Sequence, residues 1–248
     1  MIFSTLLSKV NNRIRSKKKR IRDGVHRVID RTYINESEGV CKEKRKINFH
    51  CLAWGDYLDY FLSYTAPSLL QDGNIPSLAG DGYDLRLDIY TQPGEYQAKI
   101  KQYGPCLAKL NEYMLVNVIP LNELKVGWWR DYYWQGALID QIERCIDDQA
   151  IMFLTPPDTI FGNRSITHAV RTAQGKNVCL AAAHPRVRKD SVLTSDVFAG
   201  LKRMERSLEN DELVDLAFEH GHPALLESFD NVDTNRTHLG LSIRKIND

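Results

Sequence analysis

The residue with the clearest chemical potential is Asp158. It ends the run Ala150-Ile151-Met152-Phe153-Leu154-Thr155-Pro156-Pro157-Asp158, in which an apolar segment leads straight into a carboxylate. A carboxylate leaving the end of a buried strand can hold a cation or accept a proton. Pro-Asp is also common turn chemistry, and an aspartate that only shapes a turn fits the spacing equally well. A second group is His184-Pro185-Arg186-Val187-Arg188-Lys189. Its guanidinium groups could clamp a diphosphate, or the segment could be a solvated basic loop. His220-Gly221-His222-Pro223 could supply one or two metal ligands. The same residues suit a helix C-terminus, where His favours the dipole and Gly and Pro stop the helix. Trp54-Gly55-Asp56 sets an aromatic face beside a carboxylate. Trp128-Trp129-Arg130-Asp131-Tyr132-Tyr133-Trp134 is the densest aromatic cluster, suited to stacking on a base or sugar or to burial against a sheet. Asp147-Asp148 precedes a strand at its amino end and reads as a turn.

Several chemistries lack their motif. No GxGxxG follows the first strand, which disfavours a nicotinamide or flavin dehydrogenase and weakens a methyltransferase reading. There is no GxxxxGK[ST], no GxSxG elbow and no HExxH.

The elements that must position these residues alternate along the chain from Lys46 onward. Strands are predicted at 47–53, 85–90, 113–119, 150–154 and 177–182, the fourth short and wholly apolar like a buried central strand. Helices are predicted after Gly55-Asp56, from about Glu95 to Leu110, over 134–146 and over 165–174, with 195–229 mostly helical. Gly73-Asn74-Ile75-Pro76 is expected to end the first helical unit. Strands separated by helices imply a mostly parallel central sheet with helices on both faces. Ligands of such sheets bind beyond the carboxyl ends of the strands. That rule selects Trp54-Gly55-Asp56, Thr91-Gln92, Pro120, Thr155 to Asp158, and His184 to Arg186.

The order of strand, acidic segment, helix and strand, and the opening unit Ala53-Trp54-Gly55-Asp56-Tyr57-Leu58 before a helix ending in Pro67-Ser68-Leu69-Leu70, resemble a GT-A-type glycosyltransferase of the nucleotide-diphospho-sugar transferase superfamily. The resemblance runs over roughly 47–190 and implies a Rossmann-like GT-A fold. It implies transfer of a sugar from a nucleotide-diphosphate donor to a glycan or lipid-linked acceptor. Trp54 and Asp56 would contact the nucleotide, with Thr155 beside them, and Arg186 or Arg188 the diphosphate. Asp158 would be the catalytic carboxylate and would hold Mn2+ or Mg2+, a metal that neutralises the leaving diphosphate. Where that family carries Asp-x-Asp, this chain has Pro156-Pro157-Asp158 and one carboxylate. His184, or His222 with His220 from the later helix, would complete the metal site. The alternative is a noncatalytic interaction protein on the same fold, associating with membranes or oligomerising.

Residues 1–46 form a separate unit, ahead of a single α/β domain over 47–248 with a helical C-terminal part. Apolar residues at Phe3, Leu7, Val10, Ile14, Ile21, Val25 and Val28 fall on one stripe of a helix. Basic residues from Arg13 to Arg27 crowd the other face. The 46 residues hold 14 Lys/Arg and 5 Asp/Glu, a net of +9; the whole chain's +1 therefore leaves −8 for the rest. Such an arm could lie on an anionic membrane surface through residues 1–31, mediate a homo-oligomer, bind nucleic acid through phosphates, or dock on its own domain. The stripe ranks membrane first, and the acidic body disfavours nucleic acid. Five scattered cysteines without a CxxC pair argue against a disulfide framework and a zinc ribbon. No positive region precedes the apolar Met1 to Leu7, unlike a secretory signal. The expected location is the cytoplasm, peripheral on the inner face of a membrane.

Overall fold

Strict alternation makes the first strand. In β1 (Lys46–Leu52) the side chains of Ile47, Phe49 and Cys51 point to one face and are fully buried. Asn48 and His50 point to the other. A computed structural model describes residues 46–123, 133–174 and 187–221. The arm at 1–45 and the expected fifth strand at 177–182 lie outside the described residues.

After β1 come α1 (Asp56–Tyr60), a π-helical turn (Phe61–Thr65) and α2 (Ala66–Leu69) in one continuous run. α3 (Ile75–Gly80) follows; Pro76 sits in its first turn, where its missing N–H costs no helical bond. The first helical run ends at Leu69, ahead of the expected terminating segment Gly73-Asn74-Ile75-Pro76, and the correction is that Ile75 and Pro76 open the next helix. Then come β2 (Asp84–Thr91), α4 (Glu95–Tyr113), β3 (Leu115–Pro120), α5 (Tyr133–Asp147), β4 (Ile151–Leu154) and α6 (Ser165–Ala173). Tyr113 and Met114, expected in the third strand, belong to the end of α4 and the residue after it. The span 195–229 breaks up: α8 (Asp196–Lys202) and α9 (Asn210–Glu219) flank a non-helical stretch at 203–209, where Met204 has a positive φ of 58°. Residues beyond 221 lie outside the described residues. An unexpected helix, α7 (Lys189–Thr194), precedes α8.

The described strands form one parallel sheet in the order β3-β2-β1-β4. α1 to α4 and α6 cover one face through Leu58, Phe61, Leu107, Leu110, Ile166 and Val170. α5 packs on the other face over β1 and β4. The expected α/β class with helices on both faces is therefore present. β4 is less buried than expected of a central strand, since Leu154 is 53% exposed. Among the described residues it pairs on one side only, with β1. Among the described residues no helix is long and apolar enough to cross a membrane.

α4 is kinked. Tyr103 departs from helical geometry (φ −111°, ψ 16°) two residues before Pro105, whose ring and missing N–H disturb the preceding turn. Tyr103 donates from its hydroxyl to Asp59 at 3.0 Å, and Ser63 donates to the Tyr103 oxygen at 3.2 Å. Lys99 adds an ion pair to Asp59 at 2.7 Å. These bonds tie α4 to α1 and the π-helical turn.

The face under α5 is polar. Asp88 in β2 is fully buried; it accepts from Asn117 at 2.9 Å and lies 3.3 Å from Arg86 Nε, an ion pair whose angles fall short of a hydrogen bond. Arg86 also reaches Asp148 at 2.8 Å, and Asn48 donates to the same carboxylate at 3.2 Å. Asp148 thus sits at the amino end of the sheet as expected. Removing one partner of a buried ion pair strands the other. Asp88→Ala is expected to cost about 2 kcal/mol in urea denaturation, less than the usual ~3–5 because Arg86 keeps Asp148. Asp88→Asn should cost less than Asp88→Ala, and a loss below about 0.5 kcal/mol for Asp88→Ala would show that water reaches the site.

Candidate functional site at the carboxyl ends of β1 and β4

The chain runs outward from β1 to β2 to β3, then crosses back to place β4 on the other side of β1. The order therefore reverses between β1 and β4. In parallel α/β sheets this reversal opens a crevice at the carboxyl ends. Trp54-Gly55-Asp56 leaves β1 there, and Thr155 to Asp158 leaves β4 there. The sheet brings together two segments more than ninety residues apart, joined by the β1–β4 ladder from Ile47↔Ile151 to His50↔Leu154.

Trp54-Gly55-Asp56-Tyr57 is a tight turn. Tyr57 N–H donates to the Trp54 carbonyl at 3.2 Å, and Gly55 has φ 56° and ψ −132°. That is the first central position of a type II′ turn, which strongly favours glycine. Trp54 is 37% exposed and Tyr57 50%, with the Tyr57 and Tyr60 rings edge-on at 5.9 Å. Asp56 is exposed and opens α1.

The β4 segment is fastened at several points. Thr155 donates from both its N–H (2.9 Å) and its hydroxyl (2.6 Å) to the His50 carbonyl of β1. Its side chain is buried, so its bonds stitch the end of β4 to β1. Thr65, in the π-helical turn, donates to the Pro157 carbonyl at 2.8 Å. Gln71 donates to the Phe161 carbonyl at 2.7 Å, Ser68 accepts from Phe161 N–H at 3.1 Å, and Asn74 donates to the Gly162 carbonyl at 3.0 Å. Between these anchors Thr159 N–H returns to the Pro156 carbonyl at 3.2 Å, closing a turn that holds Asp158 exposed. Asp158 is thus a turn aspartate and also an exposed carboxylate on a fixed frame. It lies near β1: burial first, and Asp158 second, push the Cys51 thiol far up.

Among the basic residues, Arg188 is exposed and its N–H donates to the His220 carbonyl at 2.9 Å, beside an antiparallel bridge between Val187 and Gly221. Lys189, not selected as a site residue from the sequence, is a cation that stands beside the Asp56 end of α1 among the described residues. Its ammonium stands 5.1 Å over the Tyr60 ring. A hydrogen bond to Tyr60, then the charges of Tyr60, Asp56 and Asp190, raise its pKa against slight desolvation. Its short helix was not legible in the sequence, which shows only a basic loop. Arg186, His184 and His222 lie outside the described residues, as do Trp128 to Tyr132. Trp134 is 54% exposed at the start of α5. His220 lies at the C-terminus of α9, with its Nε2 3.9 Å from the carboxylate of Glu219.

Beneath the crevice, on the face under α5, sits a titratable group that the sequence shows only as an alternating strand residue. His50 is 7% exposed, its ring 4.9 Å from that of Tyr90, and its Nδ1 has no hydrogen-bond partner among the described residues. The Tyr90 hydroxyl lies 2.8 Å from Asp140 Oδ2 and 3.0 Å from Gln141 Oε1, and its one proton goes to the carboxylate. Burial and then Asp140 push the phenol far up, so it stays a donor. Arg144 closes the set with a 2.7 Å ion pair to Asp140. Burial lowers the His50 pKa from 6.5 to about 4, with Asp140 opposing.

No protein-family model matches the chain, and neither a curated protein nor a solved structure matches it.

The depressed His50 pKa has a definite sign. The unfolded chain binds the proton first, so this contribution to stability is complete above pH 6.5 and is lost as pH falls toward about 4. Folding stability is expected to drop by about 3 kcal/mol across that window from His50 alone. His50→Phe should flatten that part of the profile in denaturation experiments run at stepped pH; an unchanged slope would assign the acid sensitivity to other groups.

Proposed function

We propose that this chain is a glycosyltransferase-like protein that binds a nucleotide-diphosphate sugar in the β1–β4 crevice and transfers the sugar to a glycan or lipid-linked acceptor. One observation supports it above the others: β1 pairs in parallel with both β2 and β4, so the Trp54-Gly55-Asp56 turn and the Asp158 loop leave adjacent strands at a reversal of strand order. In this reading the exposed Trp54 ring stacks on the nucleobase. Asp56 accepts hydrogen bonds from the nucleoside, and Lys189 and Arg188 offset the diphosphate charge. Asp158 accepts the proton of the incoming hydroxyl or orients it.

A resident Mn2+ or Mg2+ would need donors beyond Asp158. Of the side chains expected to hold it, Asp158 and His220 are among the described residues, where no cluster of three or more His, Cys, Asp or Glu could hold an ion. One exposed carboxylate falls short of a divalent site. The reading therefore routes no step through a metal and gives the leaving diphosphate to cationic side chains. The lone carboxylate also motivates the second reading, a noncatalytic interaction protein on this fold. The basic arm would bring either protein to an anionic membrane surface or into a homo-oligomer.

A uridine or guanosine diphosphate sugar at ~100 times its Kd is expected to raise Tm by about 5–10 °C. Lys189→Ala should weaken that shift. Asp158→Ala should keep the fold and abolish sugar transfer; transfer that survives it would move chemistry elsewhere. A flat Tm with every donor, with or without manganese, would remove the proposal. Full-length chain should sediment with vesicles containing phosphatidylserine and not with phosphatidylcholine alone; equal behaviour with both would remove the membrane part.

A further inference from the structure

We infer that Glu95 is the positioning residue of the crevice, its carboxylate holding the Trp54-Gly55-Asp56 turn in the geometry that presents Trp54 and Asp56. The inference rests on the reading of that crevice as a nucleotide-sugar site.

Glu95 opens α4, forty residues along the chain from Gly55. Its Oε2 accepts the Gly55 N–H at 3.0 Å and lies 3.4 Å from the Thr91 hydroxyl at the end of β2. The last ladder bond between β1 and β2 runs from Ala53 N–H to the Tyr90 carbonyl at 2.9 Å. Beyond it the strands part, and the Glu95 carboxylate supplies the next acceptor. The turn's own bonds, Tyr57 N–H to the Trp54 carbonyl at 3.2 Å and Leu58 N–H to the Gly55 carbonyl at 3.1 Å, leave the Gly55 N–H for Glu95. Gly55 sits at a positive φ of 56°, and a Cβ built on it would meet nothing within 4 Å. Trp54 is 37% exposed, and its own carbonyl accepts the bond that closes the turn.

Competition for Glu95 is weak. Lys99, one turn along α4, is bound to Asp59 at 2.7 Å. A charged acceptor binds a backbone N–H more strongly than a neutral one, so the anchor depends on the carboxylate. An acid in the first turn of a helix also suits the helix dipole. That ordinary role predicts a small loss of stability and no effect at Gly55. The anchor has a chemical consequence too. It takes the Gly55 N–H and adds negative charge beside Asp56, so this turn suits an uncharged ring.

The test uses the full chain and the Glu95→Ala, Glu95→Gln and Gly55→Ala variants. Amide hydrogen exchange reads the Gly55 N–H. Calorimetric titration with uridine diphosphate glucose and guanosine diphosphate mannose reads the crevice. Glu95→Ala is expected to speed Gly55 exchange about tenfold and weaken donor binding about tenfold, with Tm lower by only a few degrees. Glu95→Gln keeps an acceptor oxygen without the charge and should fall between wild type and Glu95→Ala in both. Gly55→Ala, strained by its φ, should weaken binding similarly, and the double variant should lose little more than either single one. Unchanged Gly55 exchange in Glu95→Ala overturns the anchor. Unchanged affinity in that variant, or fully additive losses, overturns the positioning role. A wild-type chain that binds neither donor overturns the reading of the crevice and the ligand role of Glu95 with it, while the exchange measurement still decides the anchor.

Discussion

Parallel pairing of β1 on both its edges organises the rest of the described structure. A parallel neighbour cannot be reached by a tight hairpin, so each connection needs a crossover, and helices supply it. With β2 on one side and β4 on the other, all carboxyl ends gather at one edge and the order reverses beside β1. The Thr155 bonds to the His50 carbonyl extend that pairing past the last strand residue of β4. The Asp158 loop therefore starts from a fixed point.

The two faces of the sheet solve different problems. Ile47, Phe49, Cys51, Leu85, Leu87 and Ile89 form the apolar face and bury against five helices. Asn48, His50, Arg86, Asp88, Tyr90 and Asn117 form the other face, where ion pairs and hydrogen bonds meet α5 and Asp148. A slip of one residue in any ladder would turn this polar set into the apolar core. Ion pairs of this kind add little net stability over apolar packing. Their cost in the wrong register is large, so they specify the alignment that puts the carboxyl ends level.

A firm frame surrounds the crevice, and its exposed groups project from turns. Buried side chains Thr65, Ser68, Gln71 and Asn74 hold the backbone of the loop from Pro157 to Gly162. Asp158 stays exposed between those anchors, as Trp54 and Asp56 do across the crevice. Exposed functional groups carried on fastened backbone lose little freedom when a ligand binds. Carboxylates gather on the β1 side, where Lys189 approaches from α7 over the Tyr60 ring.

The sequence by itself determined the elements and the candidate edge. Alternation in the second strand and short apolar runs such as 150–154 marked the four described strands to within a few residues, because both patterns follow from local backbone geometry and burial. The rule that ligands bind at carboxyl ends then selected Trp54, Asp56, Thr155 and Asp158. The breaks in the helical span 195–229, the role of Pro76 and the helix carrying Lys189 were not legible, since short helices depend on tertiary packing more than on propensity. The polar residues of β1 and β2 read as an ordinary alternating face, and only the tertiary packing of that face made His50 and Asp88 buried. Strand order was equally invisible. Nothing in the spacing of 150–154 says that it lies beside β1, because pairing between distant segments is decided by which faces can be buried together. That decision set Asp158 beside the Trp54 turn and brought Glu95 to Gly55.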